Sequence, residues 1–136
     1  MATNEGIQSV VDELVAANRI LYRHGIVDAF GHVSARHPLN PDRFLIAVNI
    51  APARVTAAHI IELDLAGNPS AGDDRPLFLE RFIHAEIYRV RRDVGSVVHS
   101  HSASVIPFGV VPTAPLRPLT HSCGFLHPAA PVFEAS

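Results

Sequence analysis

Hydrophobic positions near the N-terminus repeat at the spacing of an amphipathic helix. Asn4 suits the N-cap of a helix that begins near Glu5, and Gly25 suits a left-handed C-cap after its last turn. The pattern therefore predicts one long helix whose apolar face packs on a sheet. The apolar residues recur three or four positions apart and are Ile7, Val10, Val11, Leu14, Val15, Ala17, Ile20 and Leu21.

Short runs rich in β-branched and aromatic residues follow, and such runs predict strands. Residues 30–37 and 44–47 are two of them, and the Asn-Pro-Asp-Arg turn at 40–43 predicts that they form a hairpin. Residues 61–65 predict a third strand. Residues 95–101 are short, apolar and β-branched, so they predict a buried fourth strand that ends in histidine.

A second helix is predicted between the third and fourth strands, with Pro76 in its first turn. Its apolar stripe consists of Leu79, Phe82, Ile83, Ala85, Ile87 and Val90. Six of the 11 prolines fall between Pro107 and Pro131, so this segment should be extended or looped apart from a short helix around residues 102–108. Hairpins combined with helices predict an α/β protein with a mixed or antiparallel sheet.

The composition excludes several functions. A chain of 136 residues suits one domain, and a net charge of −2 gives no positive field for nucleic acid. All 11 basic residues are arginine, which excludes a Schiff-base lysine and a Walker A loop. Cys123 is the only cysteine, which excludes an internal disulfide. Because the sequence has neither a signal-peptide pattern nor an apolar run of about 20 residues, it predicts a cytoplasmic protein without membrane contact.

Two pairs of residues are candidates for chemistry. Side chains two apart in a strand face the same side, so His99 and His101 would present two imidazoles together. Imidazole binds zinc, manganese or iron, but a catalytic metal usually has three protein ligands, and two histidines bonded to backbone fit the pattern as well. Glu80 and His84, four apart, share a helix face. Glu80 is either a general acid/base or a residue favoured at a helix start, and His84 alone is interpreted as structural.

Two stretches of this sequence resemble the class II aldolase/adducin family. Residues 79–102, LERFIHAEIYRVRRDVGSVVHSHS, carry the closest resemblance, and residues 31–47, GHVSARHPLNPDRFLIA, resemble the family's hairpin. The resemblance covers about residues 8–110. It implies a three-layer α/β/α sandwich around a mixed, mostly antiparallel sheet. It also implies a homotetramer with sites at subunit interfaces.

The same resemblance implies roles for individual residues. His99 and His101 match the first two of three histidines that hold one divalent metal ion in the family. Glu80 matches the family's catalytic acid/base. The third histidine of the family lies well downstream, and here only His121 and His127 follow, neither in the expected place. We therefore expect a single domain over residues 1–136 that is shortened and incomplete at its C-terminus. Its third ligand would come from one of these histidines or from a neighbouring subunit, or be absent.

The sequence departs from the sugar-phosphate members of the family at three places. Gly31-His32 stands where those members have Gly-Asn, and the stretch AVNIAPARVTAA lacks their Thr-Gly pair. Phe78 and Leu79 stand where they have two serines. Each change removes a hydrogen-bond donor to phosphate, so together they favour a substrate with a carboxylate. The strings GHVS and HSHSASVIPFG look more like the family's decarboxylase branch, which acts on hydroxylated aromatic or pyridine carboxylic acids.

The sequence is therefore interpreted as a metal-dependent carbon–carbon lyase that decarboxylates a hydroxylated aromatic or heteroaromatic carboxylic acid. Arg54 or Arg81 could bind a second carboxylate, although both also fit surface positions. The alternatives are a class II aldolase that cleaves a hydroxy-oxo acid or sugar phosphate, an oxygen-using iron enzyme of the same fold, and a non-catalytic binding or scaffold protein like adducin. The residues predicted to contact the substrate are His32, Ser34 and His121.

Overall fold

The computed structural model describes residues 2–111 and 113–132. The chain forms two compact units, Met1–Ser100 and His101–Ser136, and each is described by itself. The first unit contains two helices and four strands: α1 (Ala2–Arg23), β1 (His32–Arg36), β2 (Arg43–Ala47), β3 (Ile60–Asp64), α2 (Arg81–Val90) and β4 (Ser96–His99). Two single-turn 3₁₀ helices, Pro52–Arg54 and Ala57–His59, lie between β2 and β3.

The four strands form one sheet in the order β3-β2-β1-β4. Each adjacent pair is antiparallel, so the predicted hairpin and the mostly antiparallel sheet are confirmed. β4 joins the sheet beside β1, and in this register His32 lies opposite His99. The first and last strands in the chain are therefore paired, and β4 forms one edge of the sheet.

Alternating side chains on the strands build two cores on opposite faces of the sheet. On one face, Ala85 and Tyr88 of α2 pack with strand residues such as Phe44 and Leu63. On the other face, Leu14 of α1 packs with strand residues of β1 and β2. Because successive strand residues point to opposite faces, each short apolar strand supplies both cores. The fold is therefore the expected α/β/α arrangement.

Three predicted boundaries are wrong. α1 begins at Ala2, so Asn4 lies inside the helix and is not its cap. α2 begins at Arg81 rather than near Pro76. The carbonyl of Pro76 instead accepts a hydrogen bond from the Asn49 N–H at 2.7 Å, so it makes no hydrogen bond within a helix. β4 ends at His99, so strand geometry does not extend to residue 101.

One arginine ties the end of α2 to the strand that follows it. The Arg36 guanidinium donates to the carbonyls of Tyr88 (3.0 Å) and Arg91 (2.8 Å) at the end of α2. It also donates to the carbonyl of Val94, just before β4, at 3.0 Å, and to that of Pro41, in the hairpin turn, at 2.6 Å. β1 therefore fixes the path by which the chain enters β4.

The second unit has little regular structure, as its prolines predict. It contains α3 (Ile106–Val110), slightly later than the predicted short helix, and a 3₁₀ helix over His121–Leu126. The Ala130 N–H donates to the Leu116 carbonyl at 2.8 Å and holds two extended stretches together. Among the described helices, none is both long enough and apolar enough to cross a membrane.

Candidate active site

His32 and Ser34 lie on the face of β1 that faces α2, and both side chains are buried. They share that face because they are two residues apart in a strand. The loop before β1 is shaped by Asp28, whose carboxylate accepts hydrogen bonds from the N–H groups of Phe30 (2.9 Å) and Gly31 (3.1 Å). These two hydrogen bonds fix the backbone conformation just before His32.

Gly31 is required where the chain enters β1. A Cβ atom at this position would lie 2.5 Å from Cβ of Val27 and 3.1 Å from the carbonyl oxygen of His99. The first distance is shorter than van der Waals contact, so only glycine allows the loop to approach the end of β4 this closely. The glycine of the sequence Gly-His-Val-Ser therefore sets the position of His32 relative to His99.

The imidazoles of His32 and His99 stack against each other across β1 and β4. Their ring centroids are 4.8 Å apart and their planes differ by 16°. The ring of Phe78 lies on His32 as well, with centroids 4.5 Å apart. Two of the residues predicted to act at the site, His32 and His99, are therefore in contact.

Helix α2 contributes a buried hydrogen-bond chain beneath His32. His84 Nε2 lies 2.7 Å from His32 Nδ1, and His84 Nδ1 lies 2.6 Å from the Ser34 hydroxyl. The Ser34 hydroxyl also lies 2.8 Å from the hydroxyl of Tyr88. All four polar side chains have 1% or less of their surface exposed. These hydrogen bonds link α2 to β1 through the interior of the protein.

The buried environment keeps two members of this hydrogen-bond chain, His84 and Tyr88, neutral. Burial, followed by the charges of His32 and His99, lowers the pKa of His84 to about 3. Burial raises the pKa of Tyr88 to about 12, against the opposing effects of the Ser34 hydrogen bond and the Arg36 charge. At neutral pH, His84 is therefore an uncharged imidazole and Tyr88 is an uncharged phenol.

The low pKa of His84 predicts acid sensitivity. The unfolded chain binds a proton at His84 below pH 6.5, whereas the folded chain does not until about pH 3. This contribution to stability is therefore complete above pH 6.5 and is lost as the pH falls from 6.5 towards 3. We expect a loss of about 2 kcal/mol at pH 5 relative to pH 8, measured by urea unfolding. His84→Gln should flatten this slope between pH 8 and pH 5; an equal slope in both proteins would contradict the assignment.

Glu80 occupies the N-cap position of α2 and is half-buried. It lies between Phe78 and His84 in the sequence, and both of these residues contact His32. Among the residues described, its side chain makes no capping hydrogen bond with the helix. The position is compatible with a carboxylate directed to the site, and the predicted acid/base role stays a prediction.

The remaining predicted histidines lie in the second unit. His101 and His121 are exposed, and His121 begins the 3₁₀ helix that His127 follows. Within residues 2–111 and 113–132, no group of three or more histidine, cysteine, aspartate or glutamate side chains is arranged to hold a metal ion. The imidazoles of His99 and His101 suit a divalent transition metal, but a catalytic centre usually needs three protein ligands. The predicted roles of His99 and His101 as metal ligands stay predictions.

The two arginines considered as carboxylate binders differ. Arg81 donates hydrogen bonds to the carbonyls of Gly67 (2.9 Å) and Phe78 (2.9 Å), and its guanidinium lies over the ring of Phe82. These contacts give it a structural role in holding the segment before α2. Arg54 is exposed at the end of a 3₁₀ helix, so the substrate role proposed for it stays a prediction.

Helix α2 adds one residue, Tyr88, that the sequence does not single out. His84 is buried and hydrogen-bonded, which agrees with its structural interpretation, and Tyr88 belongs to the same hydrogen-bond chain. The signal was present in the sequence, because Glu80, His84 and Tyr88 are each four residues apart and so share one helix face.

Residues 12–135 match the family model described as the class II aldolase and adducin N-terminal domain. The chain belongs to this family. The match runs through the hairpin, α2 and the His-Ser-His string on which the site depends.

Several relatives are similar to this chain. It is 34% identical over 128 residues to decarboxylase tropJ of Talaromyces stipitatus, covering 93% of this chain and 48% of that protein. It is 31% identical over 106 residues to methylthioribulose-1-phosphate dehydratase of Gluconacetobacter diazotrophicus, covering 76% of this chain and 50% of that protein. The chain thus spans about half the length of these curated relatives.

Solved structures of class II aldolases share the fold. An aldolase II superfamily protein from Pseudomonas syringae superposes with a TM-score of 0.72 at 26% identity, covering 82% of this chain and 46% of that one. L-fuculose 1-phosphate aldolase from Glaciozyma antarctica PI12 gives a TM-score of 0.68 at 27% identity, covering 76% of this chain and 44% of that one. The predicted family and fold class are therefore confirmed.

Proposed function

We propose that this chain supplies part of the active site of a metal-dependent decarboxylase that acts on a hydroxylated aromatic or heteroaromatic carboxylic acid. The observation that carries the proposal is the stacked pair His32–His99, framed by Phe78 and by the helix that begins just after Glu80. The similarity to a protein named as a decarboxylase supports the same reaction.

The residues around His32 favour a carboxylate substrate over a phosphate. A phosphate site is usually lined by backbone N–H groups, hydroxyls or a charged fork. Here the ring of buried Phe78 lies against His32, so this side of the imidazole has an aromatic wall. An aromatic ring donates no hydrogen bond to a phosphate oxygen, so this wall favours a flat aromatic acid over a phosphorylated sugar.

The proposed reaction needs one proton at the carbon that loses its carboxyl group. The carbon–carbon bond breaks, carbon dioxide leaves, and the electron pair stays on the ring carbon. In its protonated form Glu80 would donate a proton to that carbon and would regain one from water, so the reaction is balanced. His32 and Ser34 would orient the acid, and His121 is retained as a substrate contact. A divalent ion bound by His99 and His101 would supply charge that stabilises the developing negative charge.

Metal binding tests the proposed ligands directly. We expect the purified full chain to hold about one divalent ion of zinc, manganese or iron per chain, by elemental analysis. His99→Ala and His101→Ala should each lose most of this metal, because each removes one imidazole ligand. His24→Ala, which changes an exposed histidine after α1, is the matched control. Equal metal content in wild type and in both ligand variants would refute these ligands.

An aldolase reaction is the second candidate, and the fold similarity to L-fuculose 1-phosphate aldolase supports it. The two reactions release different products. Incubation with dihydroxyaromatic acids should release carbon dioxide, whereas a hydroxy-oxo acid or sugar phosphate would yield an aldehyde. Release of aldehyde alone would favour the aldolase; neither product, with metal bound, would favour the binding or scaffold protein.

We also propose that both units belong to one domain of a cytoplasmic homotetramer. The family match runs across both units, from residue 12 to residue 135. If His99 and His101 bind a metal ion, a neighbouring subunit would be a source of the further ligand that a catalytic metal usually has. Analytical ultracentrifugation with and without added metal tests whether assembly and metal binding occur together.

A further inference from the structure

The backbone of β4 does not by itself fix the ring of His99. The strand ends at this residue, and the side chain is half-buried. The torsion that turns a histidine ring about its Cβ–Cγ bond joins an sp³ to an sp² carbon, so its energy minima are broad. The plane of the His99 ring is therefore set by the groups that pack against it.

The ring of His32 packs flat against the ring of His99. Their centroids are 4.8 Å apart and their planes differ by 16°. The stack joins the two residues that lie opposite each other in the register of β1 and β4. It restrains the His99 ring only as far as His32 is itself held in one orientation.

His32 is held by two different kinds of contact. Its side chain is buried, and the ring of Phe78 lies on it with centroids 4.5 Å apart. Its Nδ1 also lies 2.7 Å from Nε2 of His84. A hydrogen bond at one ring nitrogen fixes the rotation of an imidazole, whichever of the two nitrogens donates the hydrogen. The orientation of His32 therefore depends on His84.

His84 is anchored on its other side by two hydroxyl groups. Its Nδ1 lies 2.6 Å from the hydroxyl of Ser34, which lies 2.8 Å from the hydroxyl of Tyr88. These three side chains are fully buried, so water does not compete for their hydrogen bonds. The ring of Tyr88 packs in turn on Phe44, with centroids 5.4 Å apart. The hydrogen-bond chain therefore connects His32 to the core between α2 and the sheet.

We propose that His84 is a positioning residue that acts on His99 through His32. His84 fixes the rotation of the His32 ring, and the stacked His32 ring fixes the plane of the His99 ring. All the residues involved lie in the first compact unit. In this proposal His84 touches neither substrate nor metal, and His32 stays buried.

The orientation of the His99 ring has a consequence for the proposed function. A ring nitrogen binds a metal ion with a lone pair that lies in the ring plane, so a rotated ring no longer points at the ion. Outer residues that hold ligating histidines typically contribute about 10- to 100-fold to metal affinity. This consequence rests on the proposed function, whereas the restraint of the ring does not.

The order of the His99 ring is measured by ¹³C NMR relaxation of the imidazole C–H groups in the full chain without metal. Its signals are assigned from their loss in His99→Gln, and we expect an ordered ring in the wild type. His84→Asn should lose this order, because its shorter amide reaches Ser34 but not His32. His84→Gln should retain most of it, because its amide lies about where Nε2 of His84 lies.

His37→Asn is the matched control for a general loss of stability. His37 is also buried, and its Nδ1 accepts hydrogen bonds from the N–H groups of Leu39 (3.1 Å) and Asn40 (3.0 Å). It follows the other end of β1, five residues after His32 and so roughly 17 Å away along the strand. His37→Asn should lower the free energy of unfolding in urea and leave the order of the His99 ring unchanged.

Three outcomes overturn the proposal. A His99 ring that is already mobile in the wild type does so without any variant. An unchanged ring in folded His84→Asn does so too, as does an equal loss of order in His37→Asn. If His84→Asn does not fold, Ser34→Ala takes its place, because it removes the far anchor of His84 and should also loosen the ring. A loss of order in His84→Asn that is absent from His84→Gln supports the proposal.

Zinc affinity tests the consequence separately. It is measured in the full chain by competition of Zn²⁺ with a chelator, and His84→Asn should bind about 10- to 100-fold more weakly than the wild type. His84→Gln should stay close to the wild type. Equal affinity in the two variants, with loss of ring order in His84→Asn, would refute the effect on metal binding. A wild type that binds no zinc would refute the proposed function, and the ring measurement would still decide the positioning role.

Discussion

Glu80→Gln should lower kcat for decarboxylation by roughly 10²- to 10⁴-fold, the usual contribution of a general acid/base. Glutamine keeps the shape of the side chain but has no proton to deliver to the carbon that loses carbon dioxide. Because Glu80 is half-buried at the N-cap of α2 and its side chain makes no capping hydrogen bond among the described residues, the substitution should leave the fold intact. The measurement is carbon dioxide release from the best dihydroxyaromatic acid, alongside the metal content of each protein.

Glu86→Gln is the matched control for this prediction. Glu86 lies on the exposed side of the same helix and forms an ion pair with Arg89, 2.5 Å away. Its substitution should leave kcat within about twofold of wild type, since an exposed ion pair contributes little. If Glu80→Gln retains full activity while binding metal normally, Glu80 is not the acid/base, and its position at the start of α2 is explained by the helix dipole alone.

The strands and their two faces could be predicted because they depend on local pattern. In β1, Val33 turns towards α1 while His32 and Ser34 turn towards α2, as strict alternation requires. The hairpin between β1 and β2 follows from the turn residues between two apolar runs. The three-layer arrangement was implied only by the family resemblance, and the placement of α1 and α2 on opposite faces agrees with it.

The boundaries that were wrong are those where a distant part of the chain competes with local preference. Pro76 suits the first turn of a helix, but its carbonyl binds the Asn49 N–H beyond the end of β2. Phe78 lies before the start of α2 and not within the helix, because its ring packs on His32. The end of β4 at His99 had no local signal, since Ser100 and His101 continue the same polar alternation.

The candidate site was predictable by residue type but not by arrangement. His32 and His99 were singled out for separate reasons, as a substrate contact and as a metal ligand. Their stacking results from the pairing of β1 with β4, which joins segments about sixty residues apart through one register. The pairing of His99 with His101 was argued from strand geometry that ends at His99, so the role of His101 stays a prediction.

Arg36→Lys should lower the free energy of unfolding by roughly 2–4 kcal/mol, because it removes charge-assisted hydrogen bonds to several backbone carbonyls at once. The guanidinium fork reaches the end of α2, the connection to β4 and the hairpin turn together, and it also lies over the ring of Tyr88. A lysine ammonium is a single point and cannot reproduce these directions. The measurement is the urea midpoint at constant slope.

Arg36→Lys should also change the candidate site. Arg36 holds the backbone just before β4, and the position of β4 determines where His99 lies beside His32.

Arg89→Lys is the control for the loss of stability. Among the residues described, this exposed arginine pairs only with Glu86, and its replacement should lower the free energy of unfolding by about 0.5 kcal/mol or less. Equal destabilisation by the two variants would mean that the carbonyls bonded to Arg36 are satisfied by water when it is removed. A selective loss of stability with reduced metal content would show instead that this arginine connects the fold of α2 and β4 to the geometry of the histidine pair.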